Sequence, residues 1–378
     1  MKKIGNSIGI GCFLVGLLAI FFEEPLYGVG IFALGFLIFN PSFNLLSKQL
    51  EQVFRPNIRM GLILGLGGLI IGGLWLQGRT EYEVKEDLSP MAISKLSIHP
   101  IKQKKIGELD YFFIEKGSGP AVFLLHGFPD MANTWDETIT ALSKKHRVIA
   151  PFLRGYYPTS IAPDGDYSVK TIAEDIIELA NQLGIEEFNI MGQDWGASIS
   201  SAVANIAPDK VLKVITLAIP HPSCVEISPE LLYYGRHFIV FDFPDWSVRY
   251  TRKNNFEYID RLYKRWSPDF KNYKESSNAI KETFKCKGRL EAALGYYWSL
   301  SKDQKDQEMV AFYKQLPTMP FLFLGGENDA IVTPEMLQKI KDTMPTTTKT
   351  IVFKKAGHFL HQEVFEEYIK EVKAFLAA

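Results

Sequence analysis

Gly192-Gln193-Asp194-Trp195-Gly196 is the stretch of this chain whose residue types and spacing point most directly to chemistry. An apolar run, Phe188 to Met191, precedes it, and small residues (Ala197, Ser198, Ser201, Ala202) follow. A strand that turns sharply into a helix between two glycines lifts the central side chain to the sheet edge. It also seats that side chain at a helix N-terminus, where the dipole favours an anion. Alone, Asp194 could equally be a turn residue or a helix cap. Three further features surround it in the sequence. His126-Gly127-Phe128-Pro129 follows the apolar run Ala121 to Leu125, Asp329 follows Phe321 to Leu324, and His358 follows Thr350 to Phe353. Open α/β sheets place their sites at such strand ends. His361 is a rival base, but it falls inside the following helix.

A carboxylate nucleophile selects its substrate. Attack on an acyl carbon would leave an anhydride. Attack on an sp³ carbon bearing a leaving group gives an alkyl-enzyme ester. His358, oriented by Asp329, can then activate water to cleave that ester at the carbonyl carbon of Asp194. The expected reactants are a small apolar epoxide or alkyl halide and water, with no cofactor and no metal.

The elements that must position these residues follow from hydrophobic periodicity. Ala121 to Leu125, Arg147 to Ala150, Phe188 to Met191, Val214 to Leu217, Phe321 to Leu324 and Thr350 to Phe353 read as buried strands. Ser168 to Leu183 reads as a helix, with Ile172, Ile176, Leu179 and Leu183 on one stripe and Gly184 as its stop. This alternation specifies an α/β fold with a mostly parallel sheet covered on both faces. From about Pro222 to Gln315 the strand signal vanishes and aromatic and charged residues dominate, which reads as a helical insertion over the sheet.

With these pieces assembled, the chain from about Ile106 onward resembles the α/β-hydrolase superfamily, and within it the branch of epoxide hydrolases and haloalkane dehalogenases. The resemblance is carried by His126-Gly127-Phe128-Pro129-Asp130, Arg154-Gly155-Tyr156, Gln193-Asp194-Trp195-Gly196-Ala197, Gly326-Glu327-Asn328-Asp329 and Gly357-His358-Phe359. It implies an eight-stranded sheet and a helical cap inserted after the strand that ends near Leu217. It also implies the triad Asp194, Asp329 and His358, with an oxyanion hole formed by the backbone N–H groups of Phe128 and Trp195. In epoxide hydrolases two cap tyrosines donate hydrogen bonds to the epoxide oxygen. Tyr297 matches one of them. The other position holds His237, which can donate through either ring nitrogen and whose charge can change near neutral pH. Tyr233 or Tyr234, one helical turn earlier, could substitute. Fluoroacetate dehalogenases carry a comparable His, but Trp195 and Ser198 stand where those enzymes have arginines. Tyr157 replaces the glycine usual after Arg-Gly-Tyr.

The first eighty residues are of another kind. Ile4 to Phe22, Leu26 to Phe39 and Met60 to Leu76 are apolar runs near the length that crosses a bilayer. Their many glycines suit close helix packing in lipid. A cleaved signal peptide is the competing reading of the first run, and soluble core helices are another. Three transmembrane helices over residues 1–80 are expected, then a hydrolase core at 94–221, a cap at 222–315 and the rest of the core at 316–378. Lys2, Lys3, Lys48, Arg55 and Arg59 flank the runs on what would be the cytoplasmic side. That distribution places the catalytic domain on the extracytoplasmic side of the membrane. A formal charge of −1 gives no basic footprint for nucleic acid. The three cysteines make no disulfide framework; Cys224 and Cys286 are the one possible pair in the soluble part. Epoxide hydrolysis is the leading expectation and haloalkane dehalogenation the second. A different small-molecule substrate and a non-catalytic, membrane-tethered binding protein are the alternatives.

Overall fold

The computed structural model describes residues 93–225 and 229–378. Its eight strands are β1 (Ile101–Ile106), β2 (Leu109–Lys116), β3 (Ala121–Leu125), β4 (Arg147–Pro151), β5 (Phe188–Gln193), β6 (Val211–Leu217), β7 (Phe321–Gly326) and β8 (Lys349–Phe353). They form one sheet in the order β1-β2-β4-β3-β5-β6-β7-β8. β2 runs antiparallel to β1 and to β4, and every pairing from β4 to β8 is parallel. Every residue of β3, β5 and β7 is buried, because helices cover both faces of the parallel part. The edge strand β1 is different: Lys102, Gln103, Lys104 and Lys105 are all exposed. Lysines on a sheet edge discourage further strand pairing, and they also hide the strand from a search for apolar runs.

Between the strands lie α1 (Asp136–Leu142), α2 (Val169–Gln182) and α3 (Trp195–Ile206). Ser168 caps α2 by accepting from the Thr171 N–H, and Ile172, Ile176 and Leu179 form its buried stripe. Between β6 and β7 the chain forms α4 (Pro229–Tyr234), α5 (His237–Phe241), α6 (Pro244–Trp266), α7 (Tyr273–Phe284), α8 (Arg289–Asp303) and α9 (Gln307–Tyr313). The segment called α6 is helical at both ends and broken at Lys253–Phe256, where Asn254, Asn255 and Phe256 have φ of 51, 55 and 60°. Asparagine tolerates this left-handed region better than other non-glycine residues. Phe256 is held there by burial against Phe284. The chain ends with α10 (Pro334–Thr343), α11 (Leu360–Glu363) and α12 (Phe365–Ala377).

Cys224 and Cys286 are buried free thiols. Among the described residues no helix is long and apolar enough to cross a membrane. The three apolar runs between Ile4 and Leu76 lie outside the described residues.

Candidate active site

Asp194 sits between β5 and α3 with φ 54° and ψ −120°. A non-glycine residue in that region is strained and persists only where its surroundings fix it. Here the Asp194 N–H donates to the Leu217 carbonyl at 3.3 Å, and its carbonyl accepts from the Ala197 N–H at 2.9 Å. The flanking elements come so close that side chains are excluded. A Cβ on Gly196 would lie 2.0 Å from the Leu125 carbonyl oxygen, and one on Gly127 would lie 2.4 Å from the Asp194 Cβ. That approach brings the loop after β3 onto the carboxylate: the Phe128 N–H donates to Asp194 Oδ1 at 2.8 Å. Trp195 is the first residue of α3, so its N–H is one of the helix-start donors without an intrahelical partner.

The loops after β7 and β8 bring Asp329 and His358 to the same sheet edge. His358 Nδ1 is 2.8 Å from Asp329 Oδ2, and Nε2 is 3.4 Å from Asp194 Oδ2. The second contact is too loose for a good hydrogen bond but close enough for charge to act. Burial alone would lower the His358 pKa. The Asp329 charge, reinforced by Asp194, outweighs burial and pushes it up to about 10. The rival, His361, faces elsewhere. Its Nε2 is 2.6 Å from Thr134 Oγ1, its ring packs on Trp135, and burial lowers its pKa to about 3.

The cap closes over this edge with aromatic rings. Tyr297, on α8, packs against Phe128, Trp195, His237, Phe238 and Phe241 with ring centroids 4.8–5.7 Å apart. Burial, and then the Asp194 charge, raise its pKa well above the ordinary tyrosine value, while the Trp195 side chain works the other way. His237 opens α5, buried between Tyr297 and Trp266. One expectation is corrected. His237 does not change charge near neutrality, because burial lowers its pKa to about 3 despite the nearby Asp194. Tyr233 and Tyr234 are 49 and 38 % exposed and pack on each other, so neither substitutes for His237 inside the site.

Several site neighbours carry no sequence signal that marks their roles. Trp266 packs 5.0 Å from the His358 ring, and its carbonyl accepts the His358 N–H at 3.0 Å. Glu363 accepts the N–H groups of Gly357 and Phe359 and the Ser267 hydroxyl, which fixes the loop that carries His358. Tyr156 is buried with its hydroxyl unpartnered, and burial, followed by the Asp194 and Asp130 charges, raises its pKa. Tyr157, the departure from the usual glycine, has the Arg289 guanidinium 5.0 Å above its ring. Arg289 also donates to the Gly155 and Thr159 carbonyls, which ties α8 to the loop after β4. In that loop Arg154 forms a two-pronged ion pair with Asp175, at 2.7 and 2.8 Å.

The family profile described as alpha/beta hydrolase fold matches residues 120–363, a span that holds the elbow, the loop after β3, the cap, Asp329 and His358. The chain belongs to the α/β-hydrolase family. A Bacillus subtilis relative named AB hydrolase superfamily protein YfhM is 28% identical over 252 residues, covering 65% of this chain and 86% of that one. Human Epoxide hydrolase 4 is 25% identical over 294 residues, covering 74% and 79%. Among solved structures, Cfl2 from Burkholderia cenocepacia matches with a TM-score of 0.64 at 21% identity, covering 78% of this chain and 99% of that one, and it shares the fold. This α/β-hydrolase is an enzyme.

Proposed function

We propose that this enzyme hydrolyses small apolar epoxides through an alkyl-enzyme ester on Asp194. The observation that carries the reading is a carboxylate at a strained elbow, with His358 Nε2 3.4 Å from Oδ2 and the Phe128 N–H on Oδ1. The two oxygens thereby have different roles. Oδ2 is the attacking atom. Oδ1, already seated on a backbone donor, becomes the ester carbonyl and later the oxyanion. Attack on an epoxide carbon breaks its C–O bond as the Asp194 ester forms. The departing oxygen takes its proton from Tyr297. The Trp195 side chain, packed 4.9 Å from the Tyr297 ring, works against the rise in the Tyr297 pKa, which favours donation toward the substrate. His237, neutral at working pH, contributes a hydrogen bond to the same oxygen and not a proton.

Ester formation also switches His358. It removes the Asp194 charge, one of the two that hold the imidazole protonated, so the His358 pKa falls. The proton it sheds makes good the one lost by Tyr297. Neutral Nε2 then takes a proton from water, whose oxygen attacks the Asp194 carbonyl carbon. The Phe128 and Trp195 N–H groups hold the resulting oxyanion, and its collapse releases the diol. The relatives named epoxide hydrolase support this substrate class. A panel of epoxides and haloalkanes, assayed for diol and halide release, tests the proposal: diol is expected, and halide release without diol would overturn it.

We infer further that residues 4–76 anchor the chain in a membrane, with the hydrolase domain on the extracytoplasmic side. The apolar runs and the flanking Lys and Arg support this. Protease added to intact cells or spheroplasts should digest the hydrolase domain; digestion only after lysis would reverse the orientation.

A further inference from the structure

Half of the large apolar side chains exposed among the described residues lie in one short stretch of the cap. Tyr233, Tyr234, Phe238, Phe243 and Trp246 are 49, 38, 45, 59 and 41 % exposed, whereas Ile98, Ile161, Leu212, Val225 and Leu316 are scattered along the chain. Single exposed apolar residues are ordinary, but five aromatics within one segment are not. Phe238 joins this stretch to the candidate site. The Phe238 ring is 4.4 Å from His237 and 5.3 Å from Tyr297 while nearly half of the residue faces solvent. Its composition is that of a lipid–water boundary. Two tyrosines and a tryptophan have apolar bodies and polar tips, and the exposed Asp242 and Asp245 stand among them.

The proposed membrane anchor supplies a surface within reach of it. The last apolar run ends at Leu76, and residues 77–92 separate it from Ile93. Fully extended, that connection reaches no more than about 55 Å. We propose that the aromatic patch docks on a lipid bilayer and that Phe238 stands at the entrance through which an apolar epoxide passes from lipid to Asp194. This rests on the reading that residues 4–76 are anchored in the membrane and that the substrate is an epoxide. The physical benefit is concentration, because an apolar epoxide partitions into lipid and a docked entrance draws on that pool.

The test uses the full chain in phosphatidylcholine vesicles doped with a phosphatidylcholine that carries a photoactivatable diazirine in its acyl chain. After irradiation and trypsin, the peptide His237–Arg249 should carry lipid adducts, and the peptide Asp342–Lys349 should not. Replacing Phe243→Ser and Trp246→Ser together should lower those adducts about tenfold. It should slow turnover of a lipid-partitioned epoxide to a similar extent and leave a freely water-soluble epoxide unaffected. Equal labelling of the two peptides would overturn the proposal. So would an absence of adducts with a doubled particle mass, which would assign the patch to a second copy of the chain. Retention in the pellet after carbonate washing reports the anchor separately. Adduct formation is independent of turnover, so a failed docking, a failed anchor and a failed epoxide reading give three different results.

Discussion

The sheet edge and the cap each bury a histidine beside Asp194, and the two respond in opposite ways. His358, between Asp329 and Asp194, has its pKa pushed up to about 10; His237, among Phe238, Trp266 and Tyr297, has its pKa lowered to about 3. Burial is common to both and favours the neutral ring. The difference is the carboxylate within hydrogen-bonding distance of His358, which no described residue of the cap supplies to His237. The edge therefore gathers charge, and the cap holds a neutral ring. Buried His126 and His221, each lowered to about 4, follow the pattern of the cap.

The largest effect is expected at the charged histidine. His358→Gln should allow alkylation but stop ester hydrolysis, which lowers steady-state turnover by about 10³-fold or more. Mass spectrometry of the peptide containing Asp194 should then find the substrate mass; an unmodified peptide would remove His358 from the second step. In pre-steady-state assays of the unmodified enzyme, ester hydrolysis should accelerate as pH rises through the lowered His358 pKa, because only the neutral ring is a base. Hydrolysis that slows over the same rise would contradict that sign.

In the cap, Tyr297→Phe should slow alkylation by roughly 10²–10⁴-fold, without ester accumulation, as expected when a general acid is lost. His237→Phe should cost less, about tenfold, because a neutral ring contributes a hydrogen bond and not a proton. Between about pH 5 and about pH 8 the alkylation rate should show no step that disappears in the His237 variant. Such a step would mean that the cap histidine titrates like the one at the sheet edge. The smallest effect is expected where cap and core are tied together. Tyr157→Leu removes the ring beneath Arg289 and should cost about 1 kcal/mol in a thermal melt with kcat unchanged.

The sequence carried the floor of the site better than its ceiling. Asp194 and Asp329 each follow a fully buried strand, so one-dimensional pattern and three-dimensional position coincide; His358 follows β8, expected to be buried, but as the last strand of the sheet it buries only Phe353. Phe128 is placed by the same logic, since Gly127 permits the close approach that delivers its N–H. β1 was hidden because a lysine-rich edge strand has no apolar face to detect. The Asn254-Asn255 pair hints at the break in α6, but nothing in sequence shows that Phe256 shares the left-handed backbone. The charge state of His237 could not be read either. Its depressed pKa is a property of the rings packed around it, which come from α5, α6 and α8 together. Glu363 and Trp266 act on His358 through backbone groups, contacts that residue type does not encode.

The central claim is that an oxygen of Asp194 enters the product. A single turnover in oxygen-18 water, with enzyme in excess over epoxide, tests it most directly. The account predicts that the first diol released is unlabelled at the newly added hydroxyl and that the label resides in the Asp194 carboxylate, read by mass spectrometry of its peptide. Label in the first diol with none in Asp194 would mean that water attacks the substrate directly, and would contradict it.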